Sequence, residues 1–137
     1  MTTVEQVLAH KAPGLHTTTE DCPVESAISD MARLAIHSLL VMRDHEVVGI
    51  FTDRDYVHKI VVPGLDPTVL KVADVMTRNV VFISPQATIT SCVEIMNEGK
   101  FRHLPVREDG KLLGMISMTD IMRAIVNGAD GDIETYI

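Results

Sequence analysis

The fold of this chain is decided by a stretch that occurs twice. Residues 47–61, "VVGIFTDRDYVHKIV", align without a gap with residues 112–126, "LLGMISMTDIMRAIV". The offset of 65 residues carries Asp55 onto Asp120, and it continues well upstream of both stretches. Because the apolar pattern repeats together with the identities, we interpret the two stretches as copies of one structural unit.

Each copy predicts two helices. Apolar residues recur at the i, i+3, i+4, i+7 spacing of a helix that buries one face, and a second helix begins directly after the repeated motif. The first helices are indicated by Val24, Ala27, Ile28 and Met31 and by Ile89, Cys92, Val93 and Met96, and the second by Tyr56, Val57, Ile60 and Val61 and by Ile121, Met122, Ile125 and Val126.

Three strands are predicted in each copy. The apolar runs "HSLLVM" and "RHLPV" end in turn residues, and "EVVGIFT" and "KLLGMIS" follow them. These last two runs are apolar almost throughout, which predicts burial on both faces. A leading strand is predicted at "LHTT", residues 15–18, and at "VVFIS", residues 80–84.

Each copy is therefore a β-α-β-β-α unit that is too small to bury its own apolar surface. The predicted fold belongs to the mixed α/β (α+β) class, with the two units packed sheet to sheet in pseudo-two-fold symmetry. Residues 1–66 form the predicted first unit, with a short helix at "TVEQVLAH", and residues 67–127 form the second, which a linker helix at "VADVM" precedes. Residues 128–137 are interpreted as an acidic, loosely held tail.

The composition argues against several classes of function. A net charge of −7 and 4% aromatic residues do not suit a nucleic-acid surface. No apolar run has the length of a membrane helix, and "MTTVEQVLAH" lacks the features of a signal peptide, so we expect a soluble cytoplasmic protein without a membrane partner. Cys22 and Cys92 form no metal or redox spacing. Neither a nucleophile–base pair nor a phosphate-binding loop is recognisable, so no enzyme and no catalytic cofactor is predicted.

The carboxylate at the end of the repeated motif has three conceivable roles. Thr52 and Asp55, like Ser117 and Asp120, have the spacing of a capping box at a helix start. A metal site is disfavoured, because hard cations need more oxygen ligands than this turn offers. A carboxylate at a strand-to-helix junction can also accept both hydroxyls of a ribose. Capping and ligand binding are compatible, since a capping carboxylate keeps spare lone pairs.

Further features of the motif favour a ligand. Gly49 and Gly114 omit a side chain where a ligand could approach the backbone. The hydroxyls of Thr52 and Ser117 can bind phosphate or ribose, and a helix N-terminus attracts anions. Arg54 adds a planar fork that suits phosphate.

A tandem pair of such units, each ending its second strand in Gly-apolar-x-Thr/Ser-x-x-Asp, resembles the CBS domain pair, or Bateman module, of the cystathionine β-synthase domain family. Residues 72–125 match the family pattern along nearly their whole length, and the first unit matches less closely, so the resemblance covers about residues 4–126. It implies a regulatory module that binds AMP, ADP, ATP, NAD or S-adenosylmethionine in two clefts between the units. It also implies a homodimer and a regulated partner protein that the sequence does not identify.

The resemblance further implies which residues serve each cleft. Thr52 and Asp55 would hold the ribose in one cleft, and Ser117 and Asp120 in the other. We expect the Asp55 cleft to bind more tightly, because Asp53 and Arg54 have no counterparts in the second motif. The remaining candidates are Ile50, Val80 and Val81 around the adenine with Arg54, Arg102, His103 and His37 near the phosphate, and, in the second cleft, Met115, Leu15, His16 and Arg123.

Two hypotheses for the function remain open at this point. The favoured one is a stand-alone sensor of adenine nucleotides that signals by a change of conformation or assembly. The alternative is an interaction scaffold in which dimerisation is the function and the clefts are degenerate and empty.

Overall fold

A computed structural model describes residues 1–11 and 14–127. The tail predicted at residues 128–137 lies outside the described residues. The chain forms two compact units. We call His16–Val80 the central unit, and we call the described residues of Met1–Leu15 and Val81–Ile137 the split unit.

Helices and strands together confirm the mixed α+β class. None of the described helices has the length and apolar character needed to cross a bilayer. The elements in chain order are α1 (Val4–Ala9), β1 (Thr17–Thr19), α2 (Val24–Leu34), β2 (Ser38–Arg43), β3 (Glu46–Thr52), α3 (Asp53–Tyr56) with a π-helical continuation (Val57–Val61), α4 (Val72–Val75), α5 (Ile89–Gly99), β4 (His103–Glu108), β5 (Lys111–Ser117) and α6 (Met118–Asn127).

The central unit contains a three-stranded sheet in the order β1-β2-β3. β1 runs parallel to β2, and β2 is antiparallel to β3 with Val41 opposite Gly49. Asp44 turns the β2–β3 hairpin with a φ of 54°, a left-handed conformation that aspartate tolerates better than most residues. The hairpin ends at Thr52, and α3 begins at the next residue, so the sheet delivers the motif directly to a helix start.

The split unit repeats the hairpin but not the leading strand. β4 and β5 are antiparallel, with Val106 opposite Gly114. The strand predicted at residues 80–84 is wrong, because within the described chain only Ile83 from this stretch forms a bridge, to Val106.

A proline shortens the leading strand pairing in the split unit. In the central unit, Leu40 donates its N–H to the His16 carbonyl at 3.2 Å, which is part of the β1–β2 ladder. The counterpart of Leu40 is Pro105, which has no N–H to donate. Two bonds remain, from Ile83 N–H to the Pro105 carbonyl at 2.9 Å and from Arg107 N–H to the Ile83 carbonyl at 3.0 Å. The missing N–H therefore removes the bridge that corresponds to Thr17–Leu40.

Each unit buries its own apolar core, and the helical stripes predicted from the sequence contribute to both. α2 turns three buried side chains into the central core, and α5 turns three into the split core. They are Val24, Ala27 and Met31 in α2 and Ile89, Cys92 and Met96 in α5.

The short helices α1 and α4 each pack in the unit formed by the other sequence repeat. α1 belongs to the split unit, where Val4 donates its N–H to the Ala87 carbonyl at 2.8 Å and is fully buried. α4 belongs to the central unit, where Val72 donates to the Cys22 carbonyl at 2.9 Å. The compact units therefore differ from the predicted boundaries of 1–66 and 67–127, because each short helix buries its apolar face in the core of the other copy.

The two second strands of the hairpins differ in burial. β3 buries three consecutive residues, Gly49 to Phe51. In β5, buried Gly114 and Ile116 flank a half-buried residue, and Leu113 is 43% exposed. Burial on both faces is thus wrong for β5, which alternates like an antiparallel strand with one face on the core.

Both hairpin glycines allow a close approach of the chain itself. A Cβ on Gly49 would lie 2.6 Å from Met76 Sδ and 3.0 Å from the Thr77 carbonyl oxygen. A Cβ on Gly114 would lie 3.3 Å from Leu8 Cδ2, the end of a flexible side chain. The room that these glycines leave is therefore taken by Met76 and by Leu8 of α1, and the approach of a ligand to the backbone there stays a prediction.

We expect Gly49→Ala to lower the free energy of unfolding by about 1–3 kcal/mol, as overpacking against a backbone oxygen does. Gly114→Ala is the matched control, and its loss should be clearly smaller, because the Leu8 side chain can rotate away. Urea unfolding followed by circular dichroism measures both. Equal losses at the two positions would contradict the packing described for Met76.

Candidate functional site

The motif of the central unit is a capping box closed around one carboxylate. Thr52 Oγ1 accepts the N–H of Asp55 at 3.1 Å, and Asp55 Oδ2 accepts the N–H of Thr52 at 3.0 Å. The Thr52 hydroxyl also lies 3.2 Å from the same carboxylate oxygen and donates to it. The cap predicted from the spacing is confirmed, and it satisfies backbone donors that a helix start leaves open.

Two more side chains hold the other carboxylate oxygen of Asp55. The Thr77 hydroxyl donates to Oδ1 at 3.1 Å, and Lys59 Nζ lies 3.0 Å from the same atom. Lys59 also donates to the Val75 carbonyl at 2.8 Å, which ties α4 to the motif. Asp55 is buried, and these contacts compensate the desolvation of its charge.

The motif of the split unit has the same cap. Asp120 Oδ2 accepts the N–H of Ser117 at 2.9 Å, and Ser117 Oγ accepts the N–H of Asp120 at 3.1 Å. Asp120 is buried to the same extent as Asp55. The predicted second cap is therefore also confirmed.

Two cations contact the Asp120 carboxylate. Lys11 Nζ donates to Oδ2 at 2.8 Å, and it also donates to the Met115 carbonyl at 2.7 Å. Arg123 Nη1 donates to Oδ1 at a longer 3.4 Å, and its side chain is otherwise exposed. Burial acts to raise the pKa of Asp120, but the hydrogen bonds from Lys11 and from the Ser117 backbone outweigh it and hold that pKa below its ordinary value.

Several predicted residues lie in the central unit. Ile50 is buried in β3, and Val80 is half-buried. His37 Nδ1 lies 2.9 Å from Asp53 Oδ2, and the His37 carbonyl accepts the Asp53 N–H at 3.2 Å. Arg54 is exposed on the first turn of the helix. The structure thus brings His37 to the motif through its neighbour Asp53.

Arg102 and His103 lie beside the motif of the split unit. The Arg102 carbonyl accepts the N–H of Met118 at 2.9 Å, and His103 is opposite Ser117 in the hairpin. Arg102 is exposed and His103 is half-buried. Their assignment to the ligand at Asp55 stays a prediction.

The residues predicted from the two leading segments, residues 15–18 and 80–84, differ in exposure. Leu15 is half-buried, and His16 is exposed with its carbonyl engaged by Leu40. Val81 is exposed, so it offers the apolar surface that an adenine contact requires. Whether these residues contact a ligand stays a prediction.

The sequence interpretation missed Lys11, Lys59 and Thr77. Lys59 had a signal, because it stands four residues after Asp55 in a predicted helix and such pairs face each other. Lys11 is 109 residues from Asp120 and had none. Its position became apparent only once α1 was found to pack in the split unit.

Within residues 1–11 and 14–127, no group of three or more His, Cys, Asp or Glu side chains is arranged to hold a metal ion. In the same part of the chain, every buried side-chain nitrogen and oxygen has a hydrogen-bond partner. The polar groups of both motifs are thus satisfied by the chain itself.

A cavity of about 460 Å³ lies between α1 and α6 in the split unit. Lys11, Asp120 and Arg123 line one part of it, so the carboxylate and both cations border open space. His10 and Asn127 add polar groups to the lining. The contacts of Asp120 therefore lie next to volume that a small molecule or water can enter.

Two repeats of a helix, a hairpin and a second helix, each with a hairpin that ends in a capped carboxylate, define a tandem-repeat α+β domain pair. The sequence model of the CBS domain matches residues 4–62 and 72–127. The chain therefore belongs to the CBS domain family, as the resemblance of its motifs indicated.

Known proteins extend this assignment. The CBS domain-containing protein CBSX3, mitochondrial, of Arabidopsis thaliana is 32% identical over 136 residues, which is 92% of this chain and 66% of that protein. A protein with CBS domains from Burkholderia ambifaria is 34% identical in sequence and has a TM-score of 0.90, covering 94% of this chain and 97% of the other. The chain spans about two thirds of the first curated relative and only 19% of the next two.

A more distant structure contains bound ligands. The CBS domain pair of protein MJ0100 is 21% identical, with a TM-score of 0.77 over 89% of this chain and 98% of the other. It was solved in complex with 5′-methylthioadenosine and S-adenosyl-L-methionine. At this identity, the likeness shows a shared fold.

We expect the stabilising effect of Asp120 to depend on pH. Its folded-state pKa is lowered from 3.8, so its contribution is complete above that value and is lost as the pH falls through the lower folded-state pKa. The difference in free energy of unfolding between wild type and Asp120→Asn should therefore shrink between about pH 5 and pH 2. Urea unfolding across that range measures it.

The Lys11→Met background provides the control for this experiment. Removing Lys11 removes the strongest hydrogen bond that lowers the pKa of Asp120. The pH dependence should therefore weaken in that background. An unchanged dependence would mean that Lys11 does not interact with the carboxylate in solution.

Proposed function

We propose that this protein is a regulatory sensor that binds adenosine-containing nucleotides, namely AMP, ADP, ATP or NAD, at the Asp55 and Asp120 sites. The observation that carries the proposal is the pair of buried carboxylate caps at the strand-to-helix junctions of a CBS domain pair. A carboxylate in this position is suited to accept the two hydroxyls of a ribose. The adenosine ligands bound by the MJ0100 domain pair support the same ligand class.

Signalling would follow from differential binding. A ligand shifts a conformational equilibrium only by the difference between its affinities for the two states. Both motifs join a hairpin to the helix that follows, so a ligand held at Asp55 or Asp120 would act on α3 or α6 directly. A partner protein would detect that change. The proposal includes no catalytic step. It includes a cytoplasmic location, as predicted from the sequence.

Ligand binding is tested by thermal unfolding with AMP, ATP, NAD and S-adenosylmethionine. A ligand present at 100 times its dissociation constant should stabilise the wild type by about 2.7 kcal/mol. Asp55→Ala and Asp120→Ala should each remove part of this gain, because each deletes one of the two carboxylates. Their own melting temperatures without ligand are the baseline, since both replacements also remove a cap.

A matched control separates the ligand effect from the cap. Thr88 caps α5 by accepting the Ser91 N–H at 3.2 Å, away from both motifs. Thr88→Ala should lower the melting temperature while leaving the ligand-induced gain intact. If none of the four ligands stabilises the wild type, the sensor function is refuted.

One observation favours the second candidate, a dimerisation scaffold, and a homodimer is compatible with both functions. The helices after the motifs carry exposed apolar pairs at equivalent positions, Val57 with Val61 and Met122 with Val126. In the central unit, the first pair borders an apolar groove of about 500 Å³ between α2 and the α3 segment. Exposed apolar surface of this kind is typical of association sites.

We expect Val61→Glu and Val126→Glu to weaken a homodimer, because each buries a charge in an apolar contact. Val69→Glu is the matched control, since Val69 is also an exposed valine but lies outside both helices. Size-exclusion chromatography with light scattering measures the mass. A wild type that is monomeric at micromolar concentration would refute the dimer, and with it the scaffold function.

A further inference from the structure

The two motif carboxylates are each paired with one lysine, but the lysines come from different elements. Lys59 belongs to the helix that Asp55 starts, four residues further on. Lys11 lies just beyond α1, 109 residues from Asp120. The position equivalent to Lys59 is Ala124, so the split unit lacks a lysine on its own helix. The same charge compensation is thus reached by two unrelated routes.

The element on which each lysine lies decides whether its ammonium can move away from the carboxylate. Lys59 moves with its own helix and is held a second time by the Val75 carbonyl. Lys11 follows the last turn of α1, and its backbone N–H donates to the Leu8 carbonyl at 3.1 Å. Its ammonium borders the cavity between α1 and α6. Rotation of the Lys11 side chain would move the ammonium into that open volume without disturbing α6.

The carboxylates also differ in how many donors they already accept. Asp55 accepts from the Thr52 N–H, the Thr52 hydroxyl, the Thr77 hydroxyl and Lys59. A carboxylate offers about four acceptor positions, so a ribose hydroxyl at Asp55 has to replace one of these four donors. Asp120 accepts from the Ser117 N–H and Lys11 on Oδ2, and from Arg123 on Oδ1 only at 3.4 Å.

Lys11 is the side chain that lies closest to the Asp120 carboxylate, so its displacement would change the hydrogen bonding of that carboxylate most. It would free a lone pair on Oδ2, beside the weakly engaged Oδ1. Two adjacent acceptors are what the two hydroxyls of a ribose need. The Met115 carbonyl, which Lys11 also occupies, would become available at the same time.

We propose that Lys11 is an internal competitor for the ligand at Asp120, so that a vicinal diol binds there only after displacing the lysine ammonium. The proposal rests on the proposed function, because it names the residue that regulates one of its two sites. Lys11 lowers the affinity of the Asp120 site, and a bound ligand releases the end of α1 from α6. The two sites are therefore unequal, and only the Asp120 site converts binding into the release of a distant segment.

The test compares adenosine binding by calorimetry in an Asp55→Ala background, which isolates the Asp120 site. Adenosine has the diol without a phosphate, so any attraction between Lys11 and phosphate is absent. Lys11→Met should bind adenosine about tenfold more tightly, because a hydrogen bond between charged groups contributes about that factor to an equilibrium. Lys11→Arg, which keeps the charge, should bind like the background.

Lys111→Met is the matched control for the loss of a positive charge, since Lys111 is exposed in the same unit at the start of β5. It should leave the affinity unchanged. A second measurement uses the wild type only. Acetylation of the Lys11 amine, followed by mass spectrometry, should become faster on addition of adenosine, because the displaced ammonium loses both acceptors. This measurement decides the question even if Lys11→Met does not fold.

The outcomes separate this inference from the proposed function. If adenosine binds the background and Lys11→Met equally, or binds Lys11→Met more weakly, competition by Lys11 is refuted while the sensor function stands. Unchanged acetylation of Lys11 in the presence of bound adenosine refutes it as well. If adenosine, AMP, ATP, NAD and S-adenosylmethionine bind neither the wild type nor Lys11→Met, both the inference and the sensor function fail.

Discussion

The structure depends on the burial of one carboxylate at each strand-to-helix junction. Asp55 and Asp120 are the buried charged residues of the described chain, and each must be compensated where it lies. The backbone and hydroxyl of the preceding Thr or Ser supply part of that compensation and fix the start of the helix. A lysine adds to that compensation, and in doing so it connects a distant helix, α4 or α1, to the motif. Helix start, charge compensation and the docking of a short helix are therefore one interaction in each unit.

Much of this could be predicted from the sequence, because the repeat doubles every local signal. The capping boxes at Asp55 and Asp120 followed from a spacing of three residues and a Thr or Ser. The buried stripes of α2 and α5 followed from helical periodicity, and the hairpins from apolar runs that end in turns. These features depend on neighbours in sequence, which is why they were predicted correctly from one chain.

What could not be predicted depends on residues that are far apart. Lys11 meets Asp120 only because α1 packs in the split unit, and no local pattern reveals that. Pro105 is a different case, because the sequence does show that this residue lacks an N–H. Its effect on the leading strand became clear only when the partner carbonyl in the other copy was known. The likeness of the two copies also concealed their differences, such as the π-helical turn at Val57–Val61, which α6 does not repeat.

The division into a central and a split unit has a consequence for how the protein is made. During synthesis the central unit, His16–Val80, leaves the ribosome whole and can fold as soon as it emerges. α1 emerges before it, but the apolar surface that covers Val4 and Val7 is synthesised after the central unit. α1 therefore packs only after the β4–β5 hairpin and α6 have been synthesised. Between α1 and the surface that buries it lies the whole central unit, which has no need of either.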